Sequence, residues 1–494
     1  MSDQNSDPDF NVTDPVFAWA ARAPNAVALI EQGRAISYRT LTVAIRRAML
    51  SMREAGWRDG DVIGVSIRGE TLLHLVVTLA LARIGLTQVN LPPGDPVSQR
   101  LALAQRLSIK ALVANHEDDR LSGIAQFTPD NDWIAAVHTA PVSPDSRGAG
   151  GDNTWIIIQS SGTTGMPKNI EISHHAERVR REQSQPLFSC QSGERFMNLV
   201  GLRFWVGISR AVRCLSEGGT VIALPDNFSA AQLLHWIDAY DVTYLSCTPR
   251  NLHWLLQRVN DDNPRLPGLR ILRCSGAELV LSLLQQARRR LSPNLFIDYS
   301  SNEAGGMAAA TPGILENYPD SVGLPLQGVE LEIVDGEGRR APTGVVGRIR
   351  VRGSGMTHCT EGVSIQAGWH YPGDTALQND EGIVFLKGRY DDAINFDGIL
   401  ISTTEIESVL ARHPSVAEVA AFALPSPEHQ DVPAVALVLK QALTQEDLDQ
   451  YCAQYLGIIA PRVFIRVDEL PRNAMGKVLR RRLTEIALER LSAK

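Results

Sequence analysis

At 494 residues the chain is too long for one ordinary hydrophobic core, so at least two folding units are expected. Hydrophobic residues at 44% with charged residues at 21% exclude a disordered chain, and a net charge of -7 without a long basic stripe argues against a nucleic-acid reader.

The opening MSDQNSDPDFNVTDP is polar and acidic, with neither the basic start nor the apolar middle of a secretion signal. Leu72 to Leu86 is the most apolar early stretch, but it contains His74 and Arg83 and is shorter than the roughly 20 apolar residues a bilayer requires. A buried helix is expected there, and no membrane span. Short apolar runs at Thr154 to Gln159, Thr220 to Leu224, Leu269 to Arg273 and Asn294 to Asp298 fit strands covered on both faces. Between them, Ala230 to Tyr240 and Leu279 to Leu291 place apolar residues at helical steps, as in repeated βαβ units around a parallel or mixed sheet. From about Pro325 the segments GVELEIVDGEGR and GVVGRIRVRG alternate and are split by Gly turns, the pattern of hairpins in a smaller β-rich subdomain. A last unit of roughly 100 residues begins near Asp391. The fold class is therefore α/β: a large N-terminal domain, 1–390, of layered α/β sheets with a β-rich subdomain, followed by a small α+β C-terminal domain, 391–494. Arg288 to Arg290 and Arg480 to Arg482 lie in helical patterns and are expected on solvated faces. The six cysteines form no CxxC pair at zinc-ligand spacing, which fits a reducing, cytoplasmic compartment.

The chemistry begins at SSGTTGMPK, directly after the strand TWIIIQ. Ser160, Ser161, Thr163 and Thr164 offer hydroxyls, Gly162 and Gly165 leave backbone N–H groups open, and Lys168 adds an ammonium, so the string can wrap a polyphosphate. It is not a P-loop, because no Ser or Thr follows Lys168 and Pro167 obstructs that geometry. A polar surface turn is the plainer reading of a generic Ser/Gly loop; the position after a strand and the added lysine favour the phosphate reading.

This string resembles the family of adenylate-forming enzymes that contains acyl-CoA synthetases, the adenylation domains of peptide synthetases and firefly luciferase, and the likeness runs from ISYRTL at Ile36 to the end of the chain. The resemblance implies an enzyme that uses ATP and Mg²⁺ to turn a carboxylic acid into an acyl-AMP, then passes the acyl group to a thiol. In DYSSNE, it implies that Tyr299 lies along the adenine and that Glu303 helps hold Mg²⁺. Ser300 and Asn302 stand where the family has glycine and threonine, and Asn302 can still donate to a phosphate oxygen. Ser275, Gly276 and Ala277 match the adenine-side segment loosely. Asp374 in GWHYPGD would accept from the ribose hydroxyls, and Arg389 in GRYDD would add a ribose or phosphate contact. Lys477 in LPRNAMGK would be the catalytic cation, carried by a mobile small domain. Asp391 takes the family's hinge position, and Gly398 opens the segment that faces the acceptor thiol. Asn395 stands where many relatives have lysine.

The substrate side is less determined by sequence. Leu199 to Ser216 contains no acidic residue to pair with an α-ammonium, which disfavours α-amino acids. Phe204 and Trp205 read either as an apolar wall of the acid pocket or as helix packing, and Arg203 or Arg210 as partners for a second carboxylate on the substrate. The acceptor is CoA or the phosphopantetheine of an acyl carrier protein. The other classes in view are a luciferase-like oxygenase and a nonenzymatic ATP-binding regulator; Lys477, Asp374 and Glu303 argue against the last. A small carboxylic acid is the expected substrate, and a monomer or homodimer the expected assembly.

Overall fold

The structure is a computed structural model that describes residues 8–492 apart from 70, 130–146, 161–167, 226, 260–263, 358–364, 367, 391–393, 397–398, 402, 427–429 and 473–477. The chain divides into two compact units, Met1–Glu330 with Arg352–His370, and Leu331–Val351 with Tyr371–Lys494.

Strands are numbered in chain order. The first unit holds β1 (Val27–Glu31), β2 (Arg34–Ser37), β3 (Val62–Ser66), β4 (Thr87–Asn90), β5 (Ala111–Ala114), β6 (Ala125–Phe127), β7 (Thr154–Ser160) and β8 (Lys168–Ser173). It continues with β9 (Arg195–Asn198), β10 (Thr220–Ala223), β11 (Tyr244–Cys247), β12 (Ile271–Ser275), β13 (Leu295–Ser301), β14 (Gly305–Ala310) and β15 (Leu324–Pro325). A nine-stranded sheet runs β15-β14-β13-β12-β11-β9-β10-β1-β2, and a six-stranded sheet runs β6-β5-β3-β4-β7-β8. From β13 through β11 and β9 to β10 and β1 the pairing is parallel, as it is from β6 to β7; the edges are antiparallel. These are mixed sheets of the kind that alternating strands and helices predict. Parallel pairing aligns the carboxyl ends of β11, β12 and β13, the place where open α/β sheets bind ligands.

Helices hold the layers together. Leu72–Arg83 is apolar on every side and is buried from His74 onward, which is why its sequence lacks an amphipathic stripe. One continuous apolar cluster takes in Leu29 and Phe196 from the larger sheet, Ile63 and Trp155 from the smaller, and Leu41 and Leu79 from helices. The helix His174–Phe188 starts where Ser173 Oγ accepts from Ala176 N at 3.0 Å, and Trp205–Ser216 starts after Phe204. Among the described residues no helix is long and apolar enough to cross a membrane.

The second unit contains β16 (Glu330–Val334) and β17 (Gly347–Arg352), which pair with each other. Two short strands, β18 (Ile365–Gln366) and β19 (Trp369–His370), pair within the first unit. In the second unit β17 pairs antiparallel with β20 (Asp374–Gln378), which pairs with β21 (Val384–Arg389). Its last part is an α+β layer in which β22 (Ile394–Phe396), β23 (Ile399–Ile401), β24 (Val416–Ser426), β25 (Gln430–Leu439) and β26 (Val463–Arg466) form one sheet. Apolar residues cover both of its faces against the helices Thr403–Leu410, Gln445–Leu456 and Arg480–Ser492, with Ile406, Leu448 and Val435 on one side and Leu483, Phe422 and Ala434 on the other. The hairpin-rich segment expected after Pro325 thus packs as a compact unit together with the C-terminal layer.

Candidate active site

β7 ends at Ser160 and β8 begins at Lys168, and the two residues stand opposite each other in an antiparallel register. The ends of the string expected to wrap a polyphosphate are therefore brought together beside the parallel strands of the smaller sheet. Ser161, Gly162, Thr163, Thr164 and Gly165 lie outside the described residues, as do Lys477, Asp391 and Gly398.

On the larger sheet, β12 closes with Ser275 and is followed by Gly276, whose φ of +93° lies in the left-handed region that favours glycine. Gly276 and Ala277 are exposed, whereas Ser275 is buried with its Oγ accepting from Arg210 at 2.8 Å. β13 carries Asp298, Tyr299 and Ser300 and turns back into β14 through Asn302 and Glu303. That turn is clamped. The Arg180 guanidinium donates to the carbonyls of Asn302 at 3.0 Å and Glu303 at 2.8 Å, and Thr357 donates to the Glu303 carbonyl through both N and Oγ1 at 3.0 Å. Arg180 also donates to Gly355 O at 2.8 Å. A side chain at Gly305 would run into Arg180, with a Cβ placed 2.9 Å from its Nε, so this turn requires glycine there. Glu303 is half-buried and sits on a fixed backbone, a hard oxygen donor that fits a Mg²⁺ ion sharing its other positions with nucleotide oxygens and water.

Behind Ser275 and Tyr299 lies a buried ionic cluster. Arg210, from the helix Trp205–Ser216, donates to Ser246 Oγ, to Ser275 Oγ and to Asp298 Oδ2, the last two at 2.8 Å. Arg273 donates twice to the same Oδ2, at 2.9 and 2.6 Å, and to the Tyr244 hydroxyl at 3.2 Å. Its guanidinium carbon lies 3.8 Å from the centre of the Phe188 ring, a cation–π contact. Asp298 Oδ1 accepts no hydrogen bond among the described residues. Burial pulls Arg210 down to about 10, with the neighbouring Arg273 charge adding to it. Burial works most strongly on Arg273 and against its charge, but Asp298 and the Tyr244 hydroxyl together outweigh it and hold that guanidinium above its usual range. Burial would raise Asp298, yet Arg273 and Arg210 keep it below the usual carboxylate range. The two arginines shift in opposite senses, and all three groups remain charged at neutral pH. One positive charge is left over.

Among the residues expected to face the acid, Trp205 packs edge-on against Trp155 with ring centres 5.3 Å apart, and Trp155 stacks on His174. Phe204 is half-buried, and the exposed Arg203 lies over its ring at 4.9 Å. Trp205 is thus in packing contact with the core, and Arg210 is engaged by an internal carboxylate. Arg203 borders a shallow recess lined by Val65, Ile67, His74, Asn90, Pro92 and Pro93, at the carboxyl ends of β3 and β4.

In the second unit, register places Asp374 directly opposite Arg389 across β20 and β21. Arg389 donates to Asp374 Oδ1 at 3.0 Å and to Pro372 O at 2.8 Å, while Tyr390 N donates to Gly373 O at 2.7 Å. Two motifs 15 residues apart in sequence are thus one paired unit.

Sequence reasoning missed Arg180, Thr357, Arg273 and the carboxylate of Asp298. The one available signal for Arg180 was its helix, which is polar in sequence yet buries Arg178, Arg180 and Gln183 and so must answer to partners rather than to water.

The family of AMP-binding enzymes matches residues 16–359, and its C-terminal domain matches residues 405–477. The chain is 27% identical to a 4-chlorobenzoate–CoA ligase of an Arthrobacter species, over 95% of this chain and 94% of that protein. It is 26% identical to a 2-succinylbenzoate–CoA ligase of Bacillus velezensis, over 96% and 98% of the two chains. Among solved structures it resembles O-succinylbenzoate coenzyme A synthetase of Bacillus subtilis in complex with ATP and magnesium, with a TM-score of 0.85, 23% identity, and coverage of 95% and 99%. The chain belongs to the AMP-binding enzyme family. Within that family it is an AMP-forming acid–thiol ligase.

Proposed function

We propose that this protein activates a small carboxylic acid with ATP and Mg²⁺, releasing pyrophosphate, and then transfers the acyl group from the acyl-AMP to the thiol of CoA. The observation that carries the reading is the opposed register of Ser160 at the end of β7 and Lys168 at the start of β8, beside a family match that covers both parts of the chain. Two relatives whose names specify benzoate-type acids and CoA favour that substrate class and that acceptor. The phosphopantetheine of a carrier protein is the second acceptor to test. The compartment we assign is the cytoplasm.

The roles follow from charge and reach. Ser160 through Lys168 would grip the polyphosphate, Tyr299 would lie along the adenine, and Ser300 and Asn302 would border the phosphates. Gly276 and Ala277, exposed and without bulky side chains, would allow close approach of the base. Asp374, already oriented by Arg389, would accept from the ribose hydroxyls. Glu303 would hold Mg²⁺, which when bound neutralises phosphate charge. In the first step a carboxylate oxygen attacks the α-phosphorus and pyrophosphate leaves; both partners are anions, so a placed cation lowers the barrier, and Lys477 is that cation. In the second step the thiol sulfur attacks the acyl carbon and AMP leaves with the electron pair. We assign residues 391–494 to the moving domain, Asp391 to its hinge and Gly398 to the acceptor side. Replacing Lys477 with Ala should slow adenylation by at least about 10²-fold, because the contact acts mainly in the transition state. ATP binding and thiolation of supplied acyl-AMP should persist; normal adenylation by the variant would remove Lys477 from this role.

A further inference from the structure

We propose that Arg348 is a positioning residue for the nucleotide: its guanidinium, clasped between the rings of Tyr371 and Tyr390, locks together the two segments that carry Asp374 and Arg389 and so sets the preference for an intact ribose. The proposal rests on the reading of Asp374 as the ribose anchor and adds what holds that anchor in place.

Strand register delivers the arginine to this spot. Arg348 of β17 stands opposite Thr375 of β20, and Thr375 stands opposite Gly388 of β21. Side chains alternate along a strand, so this row lies on one face of the sheet, while Asp374 and Arg389, one step along their strands, meet on the other. Thr375 is short and Gly388 has no side chain, which leaves a long side chain room to run along the row. The Arg348 guanidinium carbon lies 4.5 Å from the centre of the Tyr371 ring and 4.6 Å from that of Tyr390.

Those two rings belong to the segments that form the anchor. Tyr371 leads into Pro372, Gly373 and Asp374, and Tyr390 directly follows Arg389. The strand pairing of β20 begins only at Asp374, and Gly373 turns with a φ of +82°, so the segment entering the anchor is held by other contacts. Arg389 donates to Pro372 O and to Asp374 Oδ1, and Tyr390 N donates to Gly373 O. Arg348 joins the same two segments from behind.

Charge explains why the clasp is an arginine. The acids of the neighbouring strand β16 are already taken, Glu332 by Arg350 and Glu330 by Arg352, each at 2.6 Å. Arg348 makes no ion pair or hydrogen bond among the described residues, and its Nε is buried. The two ring faces are therefore the groups that answer its charge, and a planar cation between two π faces attracts both at once. Methionine would fill similar space and draw neither ring.

The test titrates the full-length protein by calorimetry with AMP and with 2′,3′-dideoxy-AMP, which lacks both ribose hydroxyls. The wild-type protein should bind AMP at least about tenfold more tightly. Arg348→Met should cut that preference to within about threefold by weakening AMP while leaving dideoxy-AMP unchanged, and Arg348→Lys, which keeps a cation, should recover part of it. Tyr390→Leu should reproduce the methionine variant, and Tyr390→Phe, which keeps the ring face, should restore most of the preference. A methionine variant that melts earlier yet keeps the wild-type preference, or loses affinity for both nucleotides equally, overturns the proposal and leaves Asp374 as the ribose anchor. Equal binding of the two nucleotides by the wild-type protein defeats the Asp374 assignment and the proposal with it, and binding of neither defeats the adenylation reading as well. Should Arg348→Met fail to fold, the lysine variant and the Tyr390 pair decide.

Discussion

Asp298 illustrates what a single residue can and cannot disclose. In sequence it is merely the residue before Tyr299; in the fold it is the buried partner of Arg210, 88 positions away, and of Arg273, 25 away. No local pattern encodes such distances, and Leu199–Ser216, which carries Arg210, holds no acidic residue of its own. The turn at Glu303 was legible from its motif, but its clamp was not. Replacing Arg180 with Met should leave the Asn302 carbonyl without that donor and the Glu303 carbonyl held by Thr357 alone. We expect the KM for MgATP to rise and kcat to fall by roughly tenfold, and a Lys variant to recover part of the loss. An unchanged KM with only a lowered melting temperature would reduce Arg180 to a structural role. Two buried histidines set the acid limit. Burial pulls His74 down to about 4, and burial with the Arg147 charge pulls His174 down to about 3. The unfolded chain then binds more protons than the native one below the ordinary histidine range, so stability is full above about pH 6.5 and is lost as pH falls toward 4. His74→Leu should flatten that loss by about 3 kcal/mol across the window, read from chemical denaturation at each pH.

At the scale of elements, each of the four apolar runs read from hydropathy falls on a strand, but the ends differ. The run expected at Leu269 to Arg273 is the strand Ile271–Ser275, and the run expected to end at Asp298 continues to Ser301. The first extends to the buried Ser275, whose Oγ accepts from Arg210, and the second runs on through the half-buried Tyr299 and Ser301 with Ser300 exposed between them. The helix expected over Leu279 to Leu291 is Leu281–Arg290, and the apolar segment after Leu72 is the buried helix it promised. Helix Trp205–Ser216 lies so close to the preceding turn that a Cβ on Gly207 would collide with Gly201 O. Gly207→Ala should therefore cost about 1–3 kcal/mol and displace Phe204 and Trp205, lowering the melting temperature and raising the KM for the acid together. Retained stability would show that the helix can shift at no cost. Asp391 is read from its motif alone. Proline there fixes φ near -65°, so Asp391→Pro should preserve acyl-AMP formation and severely slow thioester formation at saturating acceptor. Equal single-turnover thiolation in both proteins would take Asp391 out of the mechanism.

At the scale of the whole molecule, the layered α/β body and the smaller α+β layer were readable from periodicity, and the family resemblance from motifs in order. The grouping of β16, β17, β20 and β21 with the C-terminal layer was not, because a compact unit assembled from separated segments leaves no composition shift in the chain. Two reaction steps by one chain is the central claim, and product stoichiometry tests it most directly. With ATP, Mg²⁺, CoA and the preferred acid, the enzyme should release one AMP and one pyrophosphate for each acyl-CoA formed. When CoA is withheld, acyl-AMP should accumulate on the enzyme. ADP and phosphate as products, or pyrophosphate release that does not depend on the acid, would contradict the account.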